Sequence, residues 1–261
     1  MPEGPQVLKT TNKLKRYLEG NILFDITINS GRYEGKPIFQ SLVLPTKVKN
    51  IGCKGKFMWW EFENSDQVMF NTLGMSGLWW SGNDKHNHVT FSYYNKQGKS
   101  KKIHFNDVRN FGTFKISNKH DLEKKLKELG PDVLGDYNFD EFIKRINRKR
   151  NNPAIGLVLM DQKIISGIGN YLRADILWYA RQSPFRQLKS FTDNELLDLY
   201  NMARHITLRS YNYKMKRGDI PDITRRHFLV YNQHKDPEGF PVLREKLGDR
   251  TVHFAPIRQY I

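Results

Sequence analysis

Two short stretches of the chain carry residue types that could do chemistry. Residues 1–6 read MPEGPQ, which places a carboxylate between two prolines at a terminus, where sequences are usually tolerant of change. Residues 166–170 read SGIGN, and the pattern predicts a helix ending near Ile165 and a new helix starting at about Tyr171. Amides in such a turn and the positive end of the new helix form an anion site that suits a DNA phosphate. Taken alone, the two stretches also fit a rigid leader and a tight helix-helix turn.

The charge balance favours a polyanionic partner. The 261 residues include 43 Lys and Arg against 27 Asp and Glu, which gives a net charge of +16 and a pI of about 9.8. Basic residues that neutralise phosphates release counterions and so give sequence-independent affinity. They are scattered over many elements, which disfavours a membrane-surface helix. A composition biased towards Lys, Asn and Ile for genomic reasons remains the alternative.

Several classes of protein are disfavoured. The longest apolar runs, such as Phe57 to Trp60, are far shorter than the ~20 residues of a membrane helix. The N-terminus lacks a signal-peptide pattern, and the single cysteine, Cys53, excludes an internal disulfide framework. We therefore expect a soluble intracellular protein, with cytoplasm, nucleus and virion not distinguished.

The elements that must position these residues are strand-rich first and helical later. An amphipathic helix is predicted over residues 4–18, and a helix over 121–134 is stopped by Gly130-Pro131 at a domain junction. Between them lie short stretches rich in β-branched and aromatic residues, whose spacing suggests a β-sandwich. These stretches are Asn21 to Asn29, Lys54 to Glu63, Gln67 to Asn71, Leu78 to Trp80, His88 to Tyr94 and Lys101 to Phe105.

Capping signals and a turn organise the second half. Asn152-Pro153 predicts an N-cap followed by proline at the first helical position, and Thr192 with Glu195 predicts a capping box. Towards the C-terminus, Gly248-Asp249 predicts a β-hairpin turn.

Motifs spread over the whole chain together resemble the formamidopyrimidine-DNA glycosylase and endonuclease VIII family, nearer its endonuclease VIII branch. Each motif is modest alone, but their order and spacing are highly specific. They are Pro2-Glu3-Gly4-Pro5, Gly55-Lys56, Leu73 to Gly77 (LGMSG), Asp107 to Gly112 (DVRNFG), Leu129 to Asp132 (LGPD), residues 167–178 (GIGNYLRADILW) and residues 250–259 (RTVHFAPIRQ).

The resemblance implies an α+β fold. An N-terminal antiparallel β-sandwich flanked by helices is expected at 1–120, and a linker at 121–135. A helix-two-turn-helix domain is expected at 136–225 and a β-hairpin finger at 226–261, with DNA in the cleft between the domains. The implied partner is damaged DNA, double-stranded or single-stranded. We expect a monomer without a cofactor.

The resemblance also implies that Pro2 is a nucleophile. After removal of Met1, Pro2 carries a secondary α-amine, whose pKa near ~8 lies roughly two units below that of lysine. Its nitrogen attacks C1′ of the damaged nucleoside and forms a cationic iminium, the Schiff base from which β,δ-elimination proceeds. Glu3 acts as general acid on the sugar ring oxygen and then shuttles protons. The family match adds Lys56 and Arg250 as catalytic phosphate-holding residues, although an isolated lysine or arginine is usually only solvated.

The expected DNA contacts follow from the same match. Met75 replaces the flipped base, Arg109 pairs with the orphaned partner, and Phe111 wedges the opposite step. Without the match, Met75 and Phe111 would be interpreted as core residues. Asn170 and Lys163 complete the predicted DNA-binding residues, together with Arg250.

Three departures from the family pattern matter. Gln6 stands in place of a usual glutamate, and Asp175 stands where glutamate is usual in the second helix. A four-cysteine zinc site needs two C-x-x-C pairs, but the corresponding places read Glu238 to Pro241 and Ala255 to Arg258. His234 and His253 alone do not make such a site. The sequence therefore predicts a zincless finger held by strand pairing and by apolar residues such as Phe240, Val252 and Phe254.

The leading hypothesis is a base-excision-repair DNA glycosylase with AP lyase activity. The alternatives are an AP lyase with little glycosylase activity and a non-catalytic relative that binds damaged DNA, which the retention of Pro2, Glu3 and Lys56 disfavours. Residues 210–227 show no obvious counterpart of the loop that caps oxidised purines in the formamidopyrimidine branch. Oxidised pyrimidines such as thymine glycol and 5-hydroxyuracil are therefore the expected substrates, with hydantoins also plausible.

Overall fold

The computed structural model describes residues 1–135, 137–213 and 228–260 and divides into two compact units. Unit 1 contains residues 1–2 and 6–127, and unit 2 contains residues 3–5 and 128–261. The division after residue 127 falls inside the predicted linker. Most of the segment compared with the purine-capping loop, and the boundary predicted at 225, lie outside the described residues. The division of the second half into a helical domain and a finger stays a prediction.

Unit 1 is built on one eight-stranded antiparallel sheet. Its strands follow the order β5-β7-β6-β1-β2-β3-β4-β8. The strands are β1 (Ile22–Ile28), β2 (Thr46–Lys54), β3 (Phe57–Phe62), β4 (Gln67–Thr72), β5 (Leu78–Trp80), β6 (Asn87–Tyr94), β7 (Ser100–Asn106) and β8 (Thr113–Asn118). Only two residue pairs join β1 to β2, Ile22 with Lys47 and Leu23 with Thr46.

Aromatic contacts show that this sheet folds over on itself. Trp79 of β5 and Phe114 of β8 lie at opposite ends of the strand order, yet their ring centroids are 5.9 Å apart. Trp60 of β3 also packs on Trp79 and on Phe91 of β6, at 5.3 and 5.2 Å. All four rings are buried. The sheet therefore encloses its core in two layers, and the predicted α+β fold with an antiparallel sandwich is confirmed.

The flanking elements agree with the sequence in part. The helix α1 (Gly4–Leu18) covers the predicted range and buries Val7, Leu14 and Leu18. The predicted helix at 121–134 is shorter and shifted, since α2 spans Lys119–Glu128. Strands β2 and β8 were missed because lysines and polar residues break up their apolar pattern.

In the part of unit 2 that the structure describes, helices precede the terminal hairpin. Its helices are α3 (Phe139–Asn147), α4 (Ile155–Val158), α5 (Asn170–Tyr179) and α6 (Asp193–Asn212). The capping box of Thr192 and Glu195 is present at the start of α6, as predicted. Two expectations were wrong. Ala154 caps α4, while the Asn152 side chain accepts a hydrogen bond from Lys189 N, and the helix expected to end near Ile165 ends at Val158.

The chain ends in the predicted hairpin. Strands β9 (Leu243–Leu247) and β10 (Arg250–Phe254) pair antiparallel, from Leu247 with Arg250 to Leu243 with Phe254. Gly248 occupies the turn with a φ of +63°, a conformation that glycine adopts without strain. Among the described residues, no helix is long and apolar enough to cross a membrane.

Candidate functional site

The carboxylate of Glu3 is fixed at the start of α5. Glu3 is 1% exposed, and its Oε2 accepts hydrogen bonds from Gly169 N at 2.7 Å and Leu172 N at 3.2 Å. Oε1 accepts a third from Tyr171 N at 3.0 Å. These N–H groups have no partner within the helix, and the helix dipole favours negative charge at this end. The arrangement therefore fixes the Glu3 carboxyl group at the start of the helix.

Two glycines make this anchoring possible. Gly167 has a φ of +99°, and its carbonyl accepts the Gly4 N–H at 2.8 Å, which holds the N-terminal segment against the turn. At Gly169, an added Cβ would collide with the carboxyl carbon of Glu3. The predicted anion site at residues 166–170 is thus already filled in part by a carboxylate of the same chain.

Two further residues that were predicted to be catalytic, Pro2 and Lys56, lie in unit 1. Pro2 is half-buried and directly precedes Glu3 in the chain. Lys56 is half-buried in the turn between β2 and β3, directly after Gly55, whose φ is +59°. The sharp turn places Lys56 at the entry to β3, as the sequence indicated.

Two loops of unit 1 carry the three predicted void-filling residues. Met75 lies between β4 and β5 and is half-buried, whereas Arg109 and Phe111 lie between β7 and β8 and are exposed. Phe111 is 49% exposed, and the Arg109 guanidinium lies 5.4 Å from the centre of its ring. Phe111 is therefore not a core residue of the folded chain.

Asp107 joins these two loops. Its Oδ1 accepts a hydrogen bond from Ser76 Oγ at 2.5 Å and its Oδ2 one from Gly112 N at 2.6 Å, while Ser76 Oγ accepts the Arg109 N–H at 2.8 Å. Asp107 is 1% exposed. Ser76, which directly follows Met75, and the backbone of Arg109 are thus held in one hydrogen-bonded network.

A third segment of unit 1 supports the second loop and was missed by sequence reasoning. Asn110, at a left-handed φ of 57°, accepts the Arg32 N–H at 3.2 Å, and Arg32 Nη1 donates to Phe111 O at 3.4 Å. His88 bridges Ser30 Oγ at 2.8 Å and Asp107 O at 3.0 Å. The only local signal was the glycine before Arg32, which predicts a turn.

In unit 2, Asn170 contacts the finger hairpin directly, and a buried arginine binds both. Asn170 Nδ2 donates to Thr251 O at 3.0 Å. Arg173 is 1% exposed and donates to Asn170 Oδ1, to Thr251 O at 3.3 Å and to Gly156 O at 3.3 Å. Burial lowers the pKa of Arg173 to about 10, so it remains cationic at neutral pH. Arg173 therefore holds Asn170 beside the strand that carries Arg250.

The remaining predicted cations are exposed. Arg250 follows the hairpin turn, and its Nε lies 3.4 Å from Asp249 Oδ2. Lys163 lies in the segment before the glycine-rich turn, where its N–H donates to Asp161 Oδ1 at 2.9 Å. Both side chains are accessible to a phosphate, and their roles stay predictions.

Asp175 is a second buried carboxylate, one turn further along α5. It is 4% exposed, and its Oδ1 accepts the N–H groups of Leu229 and Val230, both at 3.0 Å. Burial raises the pKa of Asp175 to about 6, against the opposing effect of these hydrogen bonds. The family glutamate at this place is thus replaced by a shorter carboxylate that still binds the chain at residues 229–230.

No metal centre stands out in the part of the chain that the structure describes. Within residues 1–135, 137–213 and 228–260, no three His, Cys, Asp or Glu side chains cluster as metal ligands. His253 is 6% exposed and packs edge-on against Tyr231, with the ring centroids 4.8 Å apart, and burial lowers the pKa of His253 to about 4. His234 is exposed, so the two histidines differ in their surroundings.

Comparison with known proteins agrees with this architecture. A family model described as the formamidopyrimidine-DNA glycosylase N-terminal domain matches residues 1–114, and one described as the H2TH domain of the same enzyme matches residues 129–216. The formamidopyrimidine-DNA glycosylase of Rickettsia conorii is 31% identical over 219 residues, covering 80% of this chain and 78% of that protein. That of Oceanobacillus iheyensis is 28% identical, covering 99% and 98%.

Two solved structures share the fold. The MutM (Fpg) protein of Thermus thermophilus matches with a TM-score of 0.82 at 23% identity, over 99% of this chain and 98% of that one. The Lactococcus lactis Fpg, solved with DNA containing an oxidised pyrimidine, matches with a TM-score of 0.84 at 20% identity, over 100% of both chains.

The chain belongs to the formamidopyrimidine-DNA glycosylase and endonuclease VIII family. Enzymes of this family are DNA glycosylases with AP lyase activity, so the predicted enzyme class and the damaged-DNA partner are confirmed. The relatives compared above carry the name formamidopyrimidine-DNA glycosylase, and the placement nearer the endonuclease VIII branch stays a prediction.

Proposed function

We propose that this protein excises oxidised pyrimidines from DNA and cleaves the resulting abasic site through a Schiff base on Pro2. The observation that carries the proposal is the fixed carboxylate of Glu3, which directly follows the nucleophile in the chain and accepts three backbone N–H groups. A carboxylate that is fixed in this way stays in position for proton transfer to one reacting atom, because its side chain does not rotate freely.

The proposed reaction begins when Met1 is removed and the Pro2 nitrogen becomes a free secondary amine. Glu3, held as a carboxylate, accepts the proton of the Pro2 ammonium and passes it to the sugar ring oxygen. The neutral amine attacks C1′ and displaces the base, which leaves with the bonding electron pair and takes up the remaining proton of the attached nitrogen. The C1′–O4′ bond then breaks as the ring oxygen receives the proton from Glu3, and the nitrogen lone pair forms the cationic iminium. This iminium is the electron sink for β- and then δ-elimination, in which the C2′ and C4′ protons and the flanking phosphates are lost. After the elimination the strand is broken, and water hydrolyses the remaining iminium to release the sugar fragment as an aldehyde and to restore the Pro2 amine.

The remaining site residues hold the DNA in this proposal. Lys56, Lys163, Asn170 and Arg250 bind phosphates, since amines, amides and guanidinium groups donate to phosphate oxygens. Met75, Arg109 and Phe111 fill the space left by the flipped nucleotide, and the exposure of Arg109 and Phe111 supports that role. Because the substrate is DNA, an intracellular location belongs to the same proposal.

The proposed preference for pyrimidines rests on residues 170–178, NYLRADILW, which resemble the corresponding sequence of the endonuclease VIII branch. A Lactococcus lactis relative of the same fold was solved with an oxidised pyrimidine in its DNA, so the fold accommodates such a lesion.

An incision assay over a lesion panel tests the proposal. Duplexes containing thymine glycol, 5-hydroxyuracil, a hydantoin, 8-oxoguanine, a formamidopyrimidine or an abasic site are compared in single turnovers. We expect the pyrimidine lesions and hydantoins to be cleaved fastest. Faster cleavage of 8-oxoguanine and formamidopyrimidine would contradict the pyrimidine preference. Cleavage of the abasic site alone would assign a lyase, and no cleavage at all would assign a DNA-binding protein.

A further inference from the structure

The finger hairpin needs a fastening beyond its own strands. Its β9 and β10 are five residues long, from Leu243 to Leu247 and from Arg250 to Phe254, and a two-stranded hairpin of this size is only marginally stable alone. The predicted apolar contacts supply part of the fastening, since Val252 and Phe254 are buried and Phe254 packs on Phe185 at 5.4 Å. Phe240 is only half-buried.

The open end of the hairpin is flanked by the two places where four-cysteine relatives carry C-x-x-C. The first and last positions of these places are Glu238 and Arg258, and their side chains form an ion pair. The Arg258 side chain is 13% exposed and that of Glu238 is 45% exposed, so the arginine is the buried member. The pair therefore joins the turn before β9 to the turn after β10.

Trp178, in the last turn of α5, binds both of these turns. The Arg258 guanidinium lies 3.9 Å from the centre of the Trp178 ring, and its Nε donates to Trp178 O at 3.2 Å. On the other side, Trp178 Nε1 donates to Asp236 Oδ2 at 2.9 Å. Asp236 Oδ1 in turn accepts the N–H groups of Glu238 and Phe240, at 3.0 and 2.9 Å.

A zinc ion does not fit these positions. Glu238, Pro241, Ala255 and Arg258 offer one carboxylate and no thiolate, whereas a structural zinc site uses four nitrogen or sulfur ligands. The Arg258 cation also lies where a divalent cation would be repelled. The residues at these positions therefore lack the chemistry of a four-cysteine zinc site altogether.

We propose that Trp178, Asp236, Glu238 and Arg258 form an ionic and aromatic clamp that fastens the finger and so positions Arg250. A planar guanidinium can stack on the indole and meet a carboxylate at the same time, which a lysine ammonium does less well. The clamp holds the two turns to the end of α5, and β10 runs from Arg250 directly into the clamped turn. The functional part of this inference rests on the proposed DNA contact of Arg250.

Amide hydrogen exchange of residues 251–254 in the DNA-free protein tests the clamp itself. Arg258→Ala should speed exchange about tenfold, because it removes the ring contact, a hydrogen bond and the ion pair together. The exchange rate in Arg258→Lys should lie between those of the wild type and Arg258→Ala. Glu238→Gln should speed exchange less than Arg258→Ala does. The same measurement with a chelator present should leave the wild-type rates unchanged.

Arg186→Ala is the matched control. Arg186 is 14% exposed, pairs with Glu195 at 2.7 Å and lies 3.9 Å from the Phe191 ring, so it makes an ion pair and a ring contact of the same kind with partners outside the hairpin. Its loss should leave exchange in the hairpin unchanged. Unchanged exchange in Arg258→Ala, or equal acceleration in Arg186→Ala, would overturn the clamp, as would faster exchange in the chelated wild type.

A double-mutant cycle tests the positioning of Arg250. Affinity for abasic-site-analogue DNA is measured for wild type, Arg258→Ala, Arg250→Ala and the double variant. If the clamp acts through Arg250, Arg258→Ala should weaken DNA binding several-fold when Arg250 is present. The same change should have almost no effect in the Arg250→Ala background. Additive losses would contradict the positioning role. Hydrogen exchange is measured without DNA, and affinity is measured on DNA that the enzyme does not cleave. Neither measurement depends on glycosylase activity, so a failure of the proposed function would appear only in the incision assay.

Discussion

Glu3 and Gly169 lie 166 residues apart in the chain and share a hydrogen bond of 2.7 Å, from the Gly169 N–H to Glu3 Oε2. The glycine also faces the carboxyl group so closely that no side chain fits between them. A residue at the extreme N-terminus is thereby held by the first turn of a helix in the other half of the sequence.

Gly169→Ala should therefore damage catalysis more than binding. The added methyl group displaces the Glu3 carboxyl, and a displacement of about 1 Å can cost about 100-fold in rate. We expect kcat for excision to fall by about that factor with little change in KM. Gly135→Ala is the control, because a Cβ there meets its nearest neighbour at an ordinary 3.4 Å. Equal rates for Gly169→Ala and wild type would contradict the positional role of Glu3.

Ser76→Ala should uncouple the two void-filling loops. The change removes the hydrogen bond to Asp107 and leaves the Arg109 N–H without its acceptor. Excision from duplex DNA should fall about tenfold, while excision from single strands should change little, because only a duplex leaves an orphan base. Ser117→Ala removes a similar 2.6 Å bond, to Asp121, and serves as the control. Equal losses of excision activity on duplex and single-stranded DNA would show that the network has no role in recognising the duplex.

Phe111→Ala should lower activity without lowering stability. Phe111 is 49% exposed, so its truncation leaves no cavity, whereas Phe114→Ala in the core should cost about 3–5 kcal/mol. We expect thermal unfolding of Phe111→Ala to match the wild type while excision from duplexes drops far more than from single strands. A large fall in melting temperature would return Phe111 to a packing role.

Asp175→Asn should stabilise the protein at neutral pH. The folded pKa of Asp175, about 6, lies above the ordinary aspartate pKa of 3.8, so ionisation of this carboxyl destabilises the fold as pH rises through that window. The asparagine Oδ1 can still accept the N–H groups of Leu229 and Val230. Urea unfolding should therefore give a gain of up to about 3 kcal/mol at pH 7.5 and little at pH 4. Asp198→Asn, an exposed change in α6, controls for net charge; a gain independent of pH would contradict the assignment.

Much of the fold could be predicted because it depends on local patterns. The helix at 4–18, the capping box at Thr192 and the hairpin turn at Gly248 each follow from a few neighbouring residues. Strand β2 was missed because its lysines obscure the apolar alternation. Asn152 resembles a cap but binds Lys189 N instead, which no local pattern reveals.

The site was less predictable from local patterns for a physical reason. Its residue types came from family resemblance, and their supports join distant parts of the chain. Asp107 binds Ser76, 31 residues away, and Trp178 binds Asp236, 58 residues away. Such contacts depend on the tertiary fold, so the family resemblance identified Arg109 and Phe111 but not the residues that hold them.

Borohydride trapping on abasic DNA tests the central claim most directly. Protein with a processed N-terminus should form a covalent complex with the DNA, because reduction of the Pro2 iminium gives a stable amine. Protein with an uncleaved N-terminal tag should form none, since its Pro2 nitrogen is in a peptide bond, and Pro2→Gly should retain weak trapping through a primary amine. Full crosslinking by the tagged protein would contradict Pro2 as the nucleophile.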